Sequence, residues 1–312
     1  MGVLWGIPYL LIKVAVRDLS PALLVLCRTS IGALLLIPLA AARHELRPVL
    51  ARWRPLVAYT VAELAVPWVL LSDAERRLPS SLTGLLVAAV PLVGAVLGWA
   101  LRRPGGHDRL GGRALAGLMV GLVGVGVLVG FDASVTDSPS VALLAAVVVG
   151  YAVGPLILSR RLADLPALGV VSVSLLVCAL AYVPFGLTEL PGRMPSARVV
   201  AAVVVLGVVC TALAFVLFFA LIGEAGPVRA TVVTYVNPAV AVVLGVVFLH
   251  ERFGLATAAG FVLILGGSVL SAGRRPGAGA PTTSSSCSDG PPENRTPGQS
   301  PRSTPATAPP AP

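Results

Sequence analysis

Charged side chains are scarce in this 312-residue sequence, and so are aromatic ones. Charged residues make up 12% of the chain and aromatic residues 5%, whereas hydrophobic residues make up 56%. Soluble domains carry about 25% charged residues, so a chain this apolar is not an ordinary soluble domain. The composition predicts an all-α integral membrane protein.

Residues that build metal sites and hydrolytic centres are equally sparse. The four cysteines are widely separated and three lie in apolar runs, so we interpret them as small apolar residues rather than as metal ligands or disulfide partners. The three histidines fall in loops or at the ends of apolar runs, and no HExxH or phosphate-loop motif occurs. We therefore expect no catalytic residue, metal or cofactor, and an intramembrane enzyme is the least favoured alternative.

The formal charge of +9 does not indicate nucleic-acid binding. The arginines lie between apolar runs, where basic residues fix the orientation of membrane spans. We therefore expect the protein to have a lipid bilayer, and not a nucleic acid, as its partner.

Ten apolar runs are long enough, or nearly so, for the roughly 20 residues of a membrane helix. The first is short, which predicts that the natural start lies upstream. The predicted spans are Met1–Val16, Pro21–Ala42, Pro55–Leu71, Ser80–Leu101, Ala114–Phe131, Ser140–Leu158, Ala167–Leu187, Arg198–Ile222, Val228–Leu249 and Leu255–Ala272.

The connecting segments carry the orientation signal. With the amino terminus inside, thirteen loop arginines lie on the cytoplasmic side and six on the outer side. The positive-inside rule therefore predicts that both termini are cytoplasmic. Arg43–Arg54 is interpreted as a basic loop and Ser72–Pro79 as a mixed-charge loop.

The spans divide into two similar halves, residues 1–131 and 140–273. Pro79 and Pro91 are twelve residues apart in the first half, and Pro227 and Pro238 eleven apart in the second. Five spans per half place the halves in opposite orientation, the inverted repeat of many transporters. The alternative is that proline and glycine are simply common in membrane helices.

Residues 276–312 are rich in Pro, Ser and Thr and are predicted to be a disordered tail.

Glycine spacing predicts where helices approach closely. Gly94 and Gly98 form one small-residue face, and Gly117, Gly121 and Gly124 form another.

Three ionisable side chains lie clearly within predicted spans rather than in the first two residues of one, namely Lys13, Arg28 and Glu63. Such groups are costly in hydrocarbon and are functional candidates by default. We expect Glu63 to change protonation or to bind a cationic substrate group, and Lys13 or Arg28 to bind an anionic group or to pair with Glu63. A structural role is the alternative for Glu63. The alternative for the two cations is snorkelling to the membrane interface.

Further candidates are aromatic or lie beside a proline. Trp5 and Tyr9 share one helical face with Lys13, and Trp68, Tyr151 and Tyr182 are additional candidates for a cavity wall, with interface anchoring as the alternative for Tyr182. Pro238 is expected to break the ninth span. Three residues around that break are predicted to offer substrate contacts: Thr234, Tyr235 and Asn237.

Several of these passages together resemble the EamA family of the drug/metabolite transporter superfamily. The resemblance covers Leu4 to Gly273 and rests on three passages: Val3-Leu4-Trp5-Gly6 with Lys13, Cys27-Arg28-Thr29, and Gly226-Pro227 through Asn237-Pro238 to Leu249-His250-Glu251-Arg252. It implies ten helices in two inverted five-helix repeats, and the export or exchange of small metabolites, often amino acids and their derivatives. The first half departs from the pattern, since Arg102–Arg109 replaces a Gly-Glu-Arg-like turn and Asp108 is a weak substitute.

We therefore expect a multi-pass cell-membrane transporter that moves a small molecule by alternating access, with protons as a candidate coupling ion and drugs as a further substrate class. A non-transporting assembly partner or receptor is the alternative. Substrate identity, coupling ion and oligomeric state stay open at this stage.

Overall fold

The computed structural model describes residues 1–100, 112–131, 138–225, 233–251 and 254–272. Within these ranges the chain forms helices and connecting segments, without a β-strand. All of these residues belong to one unit, Met1–Gly273. The predicted tail, residues 276–312, lies outside the described residues, as does the Arg102–Arg109 turn.

The first half contains the following helices, in chain order: α1 (Gly2–Ala15), α2 (Pro21–Ala42), α3 (Leu46–Ala51), α4 (Trp53–Thr60), a π-helical segment π1 (Val61–Ala65), α5 (Val66–Arg77), α6 (Ser80–Val87), α7 (Val90–Ala100) and α8 (Gly112–Phe131). The second half contains α9 (Ser138–Arg161), α10 (Ala167–Thr188), α11 (Ala197–Gly207), a second π-helical segment π2 (Val208–Leu213), α12 (Ala214–Ala225), α13 (Val233–Leu249) and α14 (Leu255–Ala272).

Local chemistry explains several helix ends. At the start of α2 the Ser20 hydroxyl accepts a hydrogen bond from the Leu23 N–H at 3.2 Å, and Pro21 occupies the first helical position. This is the usual pairing of a serine cap with a proline whose missing N–H costs nothing there. At the end of α13 His250 has φ 53°, and the Glu251 N–H donates to the Gly245 carbonyl at 3.1 Å. That left-handed turn fixes the direction in which Glu251 leaves the helix.

Six helical stretches among the described residues are long and apolar enough to cross a membrane: Pro21–Ala42, Trp53–Arg77, Ser80–Ala100, Pro139–Arg161, Ala167–Thr188 and Ala197–Leu221. Four shorter apolar helices accompany them: Gly2–Ala15, Leu115–Gly130, Val236–Leu249 and Leu255–Leu270. The helical, membrane-embedded character predicted from composition is confirmed.

Three local predictions are wrong. The segment Ser72–Pro79 is not wholly a loop. Its residues up to Arg77 belong to α5, and Ser72 is buried. The Arg43–Arg54 segment contains the short helix α3, whose Val49 is buried. The ninth span is not broken at Pro238, since α13 continues through this proline. The fourth predicted span is the one that is interrupted, between α6 and α7.

Glycine packing joins α8 to α14. A Cβ at Gly267 would lie 2.5 Å from the Gly117 carbonyl oxygen and 2.6 Å from the Gly121 Cα, and a Cβ at Gly124 would lie 2.8 Å from the Ile264 nitrogen. The two backbones therefore approach more closely than any side chain would allow. The prediction for Gly94 and Gly98 is wrong within the described part of the chain, where a Cβ at either position meets nothing within 4 Å.

The remaining helices enclose the interior that concerns function. Helix α2 packs along α10, α1 along α13, and α5 along α9. Two core clusters result, one around Ile12, Leu24 and Leu85 and the other around Leu36, Leu64 and Leu175. Tyr151 on α9 contacts both clusters, so it marks the place where the two cores meet.

Candidate functional site

Arg28 lies inside the helix bundle on α2. Its side chain sits with Cζ 3.7 Å from the centroid of the Trp68 ring, and the residue is only 8% exposed. Its Nε donates a hydrogen bond to the Thr211 hydroxyl at 2.9 Å. A guanidinium stacked on an indole and hydrogen-bonded in a dry site is held rigidly. Snorkelling, the alternative considered for Arg28, is therefore wrong.

The π-helical segment π2 supplies the hydroxyl that holds Arg28. Thr211 is fully buried, and its hydroxyl donates to the Leu206 carbonyl five residues back at 2.8 Å while accepting from Arg28. A π-helical turn leaves a carbonyl without its usual helical donor, and such turns are frequent at functional sites. The Thr211 hydroxyl thus satisfies the irregular backbone and orients the cation.

Glu63 occupies the other π-helical segment, π1. Its Oε2 is buried and has no hydrogen-bond partner among the described residues. Gly154 of α9 faces it, and a Cβ at that position would lie 2.9 Å from the Glu63 Cβ. Gly150, one turn earlier, faces the Ala62 carbonyl in the same way. Two glycines on α9 therefore make room for the π-helical turn and its carboxyl group.

Tyr182 supports the end of the same segment. Its hydroxyl donates to the Ala65 carbonyl at 2.9 Å. The hydroxyl thereby binds a carbonyl at the boundary between π1 and α5, where regular helical bonding changes register. Interface anchoring alone does not account for Tyr182.

Two tyrosines connect the charged groups. Tyr151 lies within electrostatic reach of Arg28 and Glu63, and Tyr9, which is buried, lies within reach of Tyr151 and Arg28. Electrostatic interactions thus connect three of the predicted site residues, Tyr9, Arg28 and Glu63, through Tyr151.

Lys13 lies at the end of α1 but contacts the third span. Its Nζ donates to the Glu75 carbonyl at 2.6 Å and to the Leu78 carbonyl at 2.8 Å. These carbonyls belong to the last turn of α5, where a cation complements the unsatisfied carbonyl groups. Lys13 therefore joins α1 to the α5–α6 corner, and snorkelling does not describe it.

Beside Lys13 lies a carboxyl group that the sequence analysis had assigned to a loop. Glu75 is 0% exposed, and neither of its carboxyl oxygens has a hydrogen-bond partner within the described ranges. The burial of Glu75 could have been predicted from helical spacing. Trp68, Ser72 and Glu75 are spaced i, i+4, i+7 and therefore lie on one face of a helix. Thr211 was also missed, since a single threonine in an apolar run gives no distinguishing pattern.

The end of α13 is tied to the start of α6. Both carboxylate oxygens of Glu251 accept backbone hydrogen bonds, from the Ser80 N–H at 2.7 Å and the Ser81 N–H at 2.9 Å. The Ser80 hydroxyl in turn donates to the Tyr9 carbonyl at 3.1 Å. A carboxylate at a helix amino terminus satisfies otherwise unpaired donors. Glu251 thus caps α6, a helix that belongs to the other half of the chain.

The remaining predicted site residues are less central. Trp5 packs in an aromatic cluster, with its ring centroid 4.7 Å from that of Phe218 and 5.9 Å from that of Phe215. Asn237 is partly buried, and a Cβ at Gly6 would lie 2.9 Å from its carbonyl oxygen. The side chains of Thr234 and Tyr235 lie outside the described residues.

The sequence and the fold of this chain are similar to those of known proteins. The EamA-like transporter family matches residues 1–130 and 138–273. A Bacillus subtilis (strain 168) protein described as "Uncharacterized transporter YvbV" is 25% identical over 268 residues, covering 84% of this chain and 86% of its own. A crystal structure described as "Crystal structure of protein" superposes with a TM-score of 0.63 at 26% identity, covering 86% of this chain and 93% of that one.

The family match covers both halves and most of the chain, and the relative is a transporter by its printed name. The resemblance noted from the sequence is confirmed: the chain is a membrane transporter that belongs to the EamA-like transporter family.

Proposed function

We propose that this protein exports or exchanges small metabolites, amino acids or their derivatives in the first place, by alternating access. The substrate binds between the halves, at the polar cluster formed by Arg28, Glu63, Tyr9 and Tyr151. The protein resides in the cell membrane with both termini cytoplasmic, and proton coupling accompanies transport.

The observation that carries this proposal is that two ionisable side chains inside the bundle, Arg28 and Glu63, have no oppositely charged partner among the described residues. No carboxylate of the described residues lies within ion-pair distance of Arg28, and no cation within that distance of Glu63. Unpaired charges buried in a bundle are costly and are retained where a ligand completes them. A zwitterion has a carboxylate for the Arg28 guanidinium and an ammonium group for Glu63.

Alternating access gains support from the correspondence between the two halves. Each half has a π-helical segment in its third span, π1 in the first and π2 in the second. Cross-packing also corresponds: α1 packs on α11 and α13, while α9 packs on α5 and on α6–α7. Inverted repeats of five spans produce this reciprocal packing, with the site at their interface.

The first test is uptake into inside-out membrane vesicles. A panel of labelled amino acids is supplied with and without an imposed pH gradient, and vesicles without the protein serve as the control. We expect gradient-dependent accumulation of at least one panel member. Absence of flux for every amino acid, with insertion verified, contradicts the amino-acid assignment. The same vesicles then test drugs and nucleosides as further substrate classes.

A further inference from the structure

Glu75 is the most deeply buried acid in the described part of the chain, and the transport site described above does not use it. It is 0% exposed, and both its carboxyl oxygens lack a hydrogen-bond partner among those residues. It lies on α5, twelve residues beyond Glu63, at the corner that leads into α6. A carboxylate without donors is far more expensive to bury than a neutral carboxyl group.

We propose that Glu75 is a proton-binding site, occupied in the conformation described here, and that the proton leaves when the α5–α6 corner opens during transport. This inference rests on the proposed function for its role in the transport cycle. Occupancy of the site by a proton is independent of substrate identity.

The position of Lys13 argues against a metal cation or a substrate amine at Glu75, although its positive charge also favours the ionised form of the carboxyl group over the protonated one. Its ammonium group is close to Glu75 but donates to the backbone carbonyls of Glu75 and Leu78 rather than forming an ion pair with the carboxyl group. A second cation at Glu75 would be repelled by this ammonium group. A metal ion would also need several oxygen ligands, and within the described ranges no three acidic, histidine or cysteine side chains are grouped to supply them.

The other titratable groups around Glu75 come from three further elements and from its own helix. Tyr9 accompanies Lys13 on α1, Tyr151 approaches from α9, and Glu251 approaches from the end of α13. Asp73, Arg76 and Arg77 are its charged neighbours on α5. The Glu251 carboxylate is held by the backbone N–H groups of Ser80 and Ser81. A negative charge fixed there opposes a second one on Glu75.

The same contacts suggest how the proton is released. Relative motion of the halves separates Glu251 from the α6 terminus, since this contact joins the second half to the first. Opening the corner admits water to Glu75, and the carboxyl O–H bond then breaks with transfer of its proton to that water. The carboxylate keeps the electron pair, and the Lys13 ammonium group, freed from the α5 carbonyls, becomes its counter-ion. No oxidant, reductant or further reactant is involved.

The direct test is infrared spectroscopy of the purified full-length protein in lipid at neutral pH. Protonated carboxyl groups give a carbonyl-stretch band separate from those of carboxylates and amides. We expect the wild type to show such a band and Glu75→Gln to lose it. Asp73→Asn is the matched control, because Asp73 is partly exposed and pairs with Arg76 at 3.6 Å. Glu63→Gln identifies any contribution of the other buried carboxyl.

Absence of a protonated-carboxyl band in the wild type, or its full retention in Glu75→Gln, would overturn the proposal. If Glu75→Gln does not fold, Glu75→Asp replaces it, since it keeps the carboxyl group in a shifted environment. The band should then move in frequency, and an unmoved band contradicts the assignment.

A second measurement uses transport. Glu75→Gln should retain substrate exchange without a gradient but lose pH-driven accumulation by about tenfold or more, while Asp73→Asn keeps both. Normal pH-driven accumulation in Glu75→Gln refutes the coupling role. If the wild type moves no substrate, the proposed function fails, and the infrared result still decides whether Glu75 holds a proton.

Discussion

The polar interior and the α8–α14 pair are both tightly packed, but the first is packed by long side chains and the second by glycines. In the interior, Arg28 stacks on the Trp68 ring and donates a hydrogen bond to Thr211 in the π-helical segment π2. Between α8 and α14, the absence of side chains at Gly124 and Gly267 lets backbones touch. The first arrangement depends on specific charged and polar atoms, whereas the second depends only on volume.

We expect this difference to separate a region that determines transport from a region that determines stability. Backbone-to-backbone packing in a membrane is stabilised by van der Waals contact over a matched surface, and it tolerates no added atom. The polar interior contains π-helical turns, the buried Arg28 and carboxyl oxygens that have no hydrogen-bond partner among the described residues. Substitutions should therefore separate the two regions, with effects on flux in the interior and on stability in the glycine pair.

Glu63→Gln should have the largest effect on flux. The amide keeps the shape of the side chain but can neither take up a proton nor carry a negative charge, so proton-coupled flux should fall to the level of empty vesicles. The measurement is gradient-driven uptake, with insertion verified by the amount of folded protein. Glu189→Gln, at an exposed position on the helix-connecting segment after α10, is the matched control. Normal coupled flux in Glu63→Gln would remove Glu63 from the mechanism.

Arg28→Lys should reduce flux strongly while leaving the protein folded. Lysine keeps the charge but loses both the planar stack on Trp68 and the Nε–H donated to Thr211. These contacts are together worth about 2 kcal/mol or more, which corresponds to a loss of about thirtyfold. Initial uptake rates test the expectation, and Arg76→Lys at an exposed position is the control. Equal rates in Arg28→Lys and wild type would mean that charge alone is needed there.

Gly267→Ala should lower stability without a specific effect on the site. The added methyl group would meet the backbone of Gly117 and Gly121, and overpacking of this kind costs about 1–3 kcal/mol. The neighbouring Gly266 supplies an unusually close control, because a Cβ there meets nothing within 4 Å. Thermal unfolding in detergent should separate Gly267→Ala from Gly266→Ala, and identical midpoints would contradict close packing of α8 on α14.

Glu251→Gln should have the smallest effect, on the contact between the halves. The amide oxygen still accepts one of the two hydrogen bonds from Ser80 and Ser81, but the charge at the α6 terminus is lost. Loss of a charged cap costs about 0.5–1 kcal/mol. Hydrogen exchange at the Ser80 and Ser81 amides should increase, whereas Glu224→Gln, at an exposed position on α12, should leave it unchanged. Unchanged hydrogen exchange at these two amides in Glu251→Gln would mean that the Glu251 carboxylate does not hold the α5–α6 corner closed.

Much of the fold could be predicted from residues alone. Apolar length and low charge predicted the helices, because a bilayer requires about 20 apolar residues per span irrespective of what packs beside them. The same argument singled out Arg28 and Glu63, since a charge in an apolar run is expensive wherever the helix sits. Glycine spacing predicted close packing at Gly117, Gly121 and Gly124 but not that α14 is the partner. It failed for Gly94 and Gly98, because a small-residue face allows a neighbouring helix to approach but does not ensure that one is there.

Two kinds of information came only from tertiary structure. Glu75 follows Asp73 and precedes Arg76 and Arg77, so local composition indicates solvent, and only the packing of α1, α9 and the α13 end makes it a buried group. The π-helical segments were equally invisible, because an extra residue in a turn changes neither hydropathy nor periodicity over so short a stretch.

Sequence by itself determined that this chain is a helical membrane protein and a member of a transporter family, and which charges would be costly inside it. Tertiary structure decided which partners these groups have. Arg28 has a tryptophan face and a threonine, Lys13 has two carbonyls, and neither Glu63 Oε2 nor the two carboxyl oxygens of Glu75 have a hydrogen-bond partner among the described residues. The reason is that burial energy is set locally along a helix, whereas pairing depends on groups brought together from distant parts of the chain.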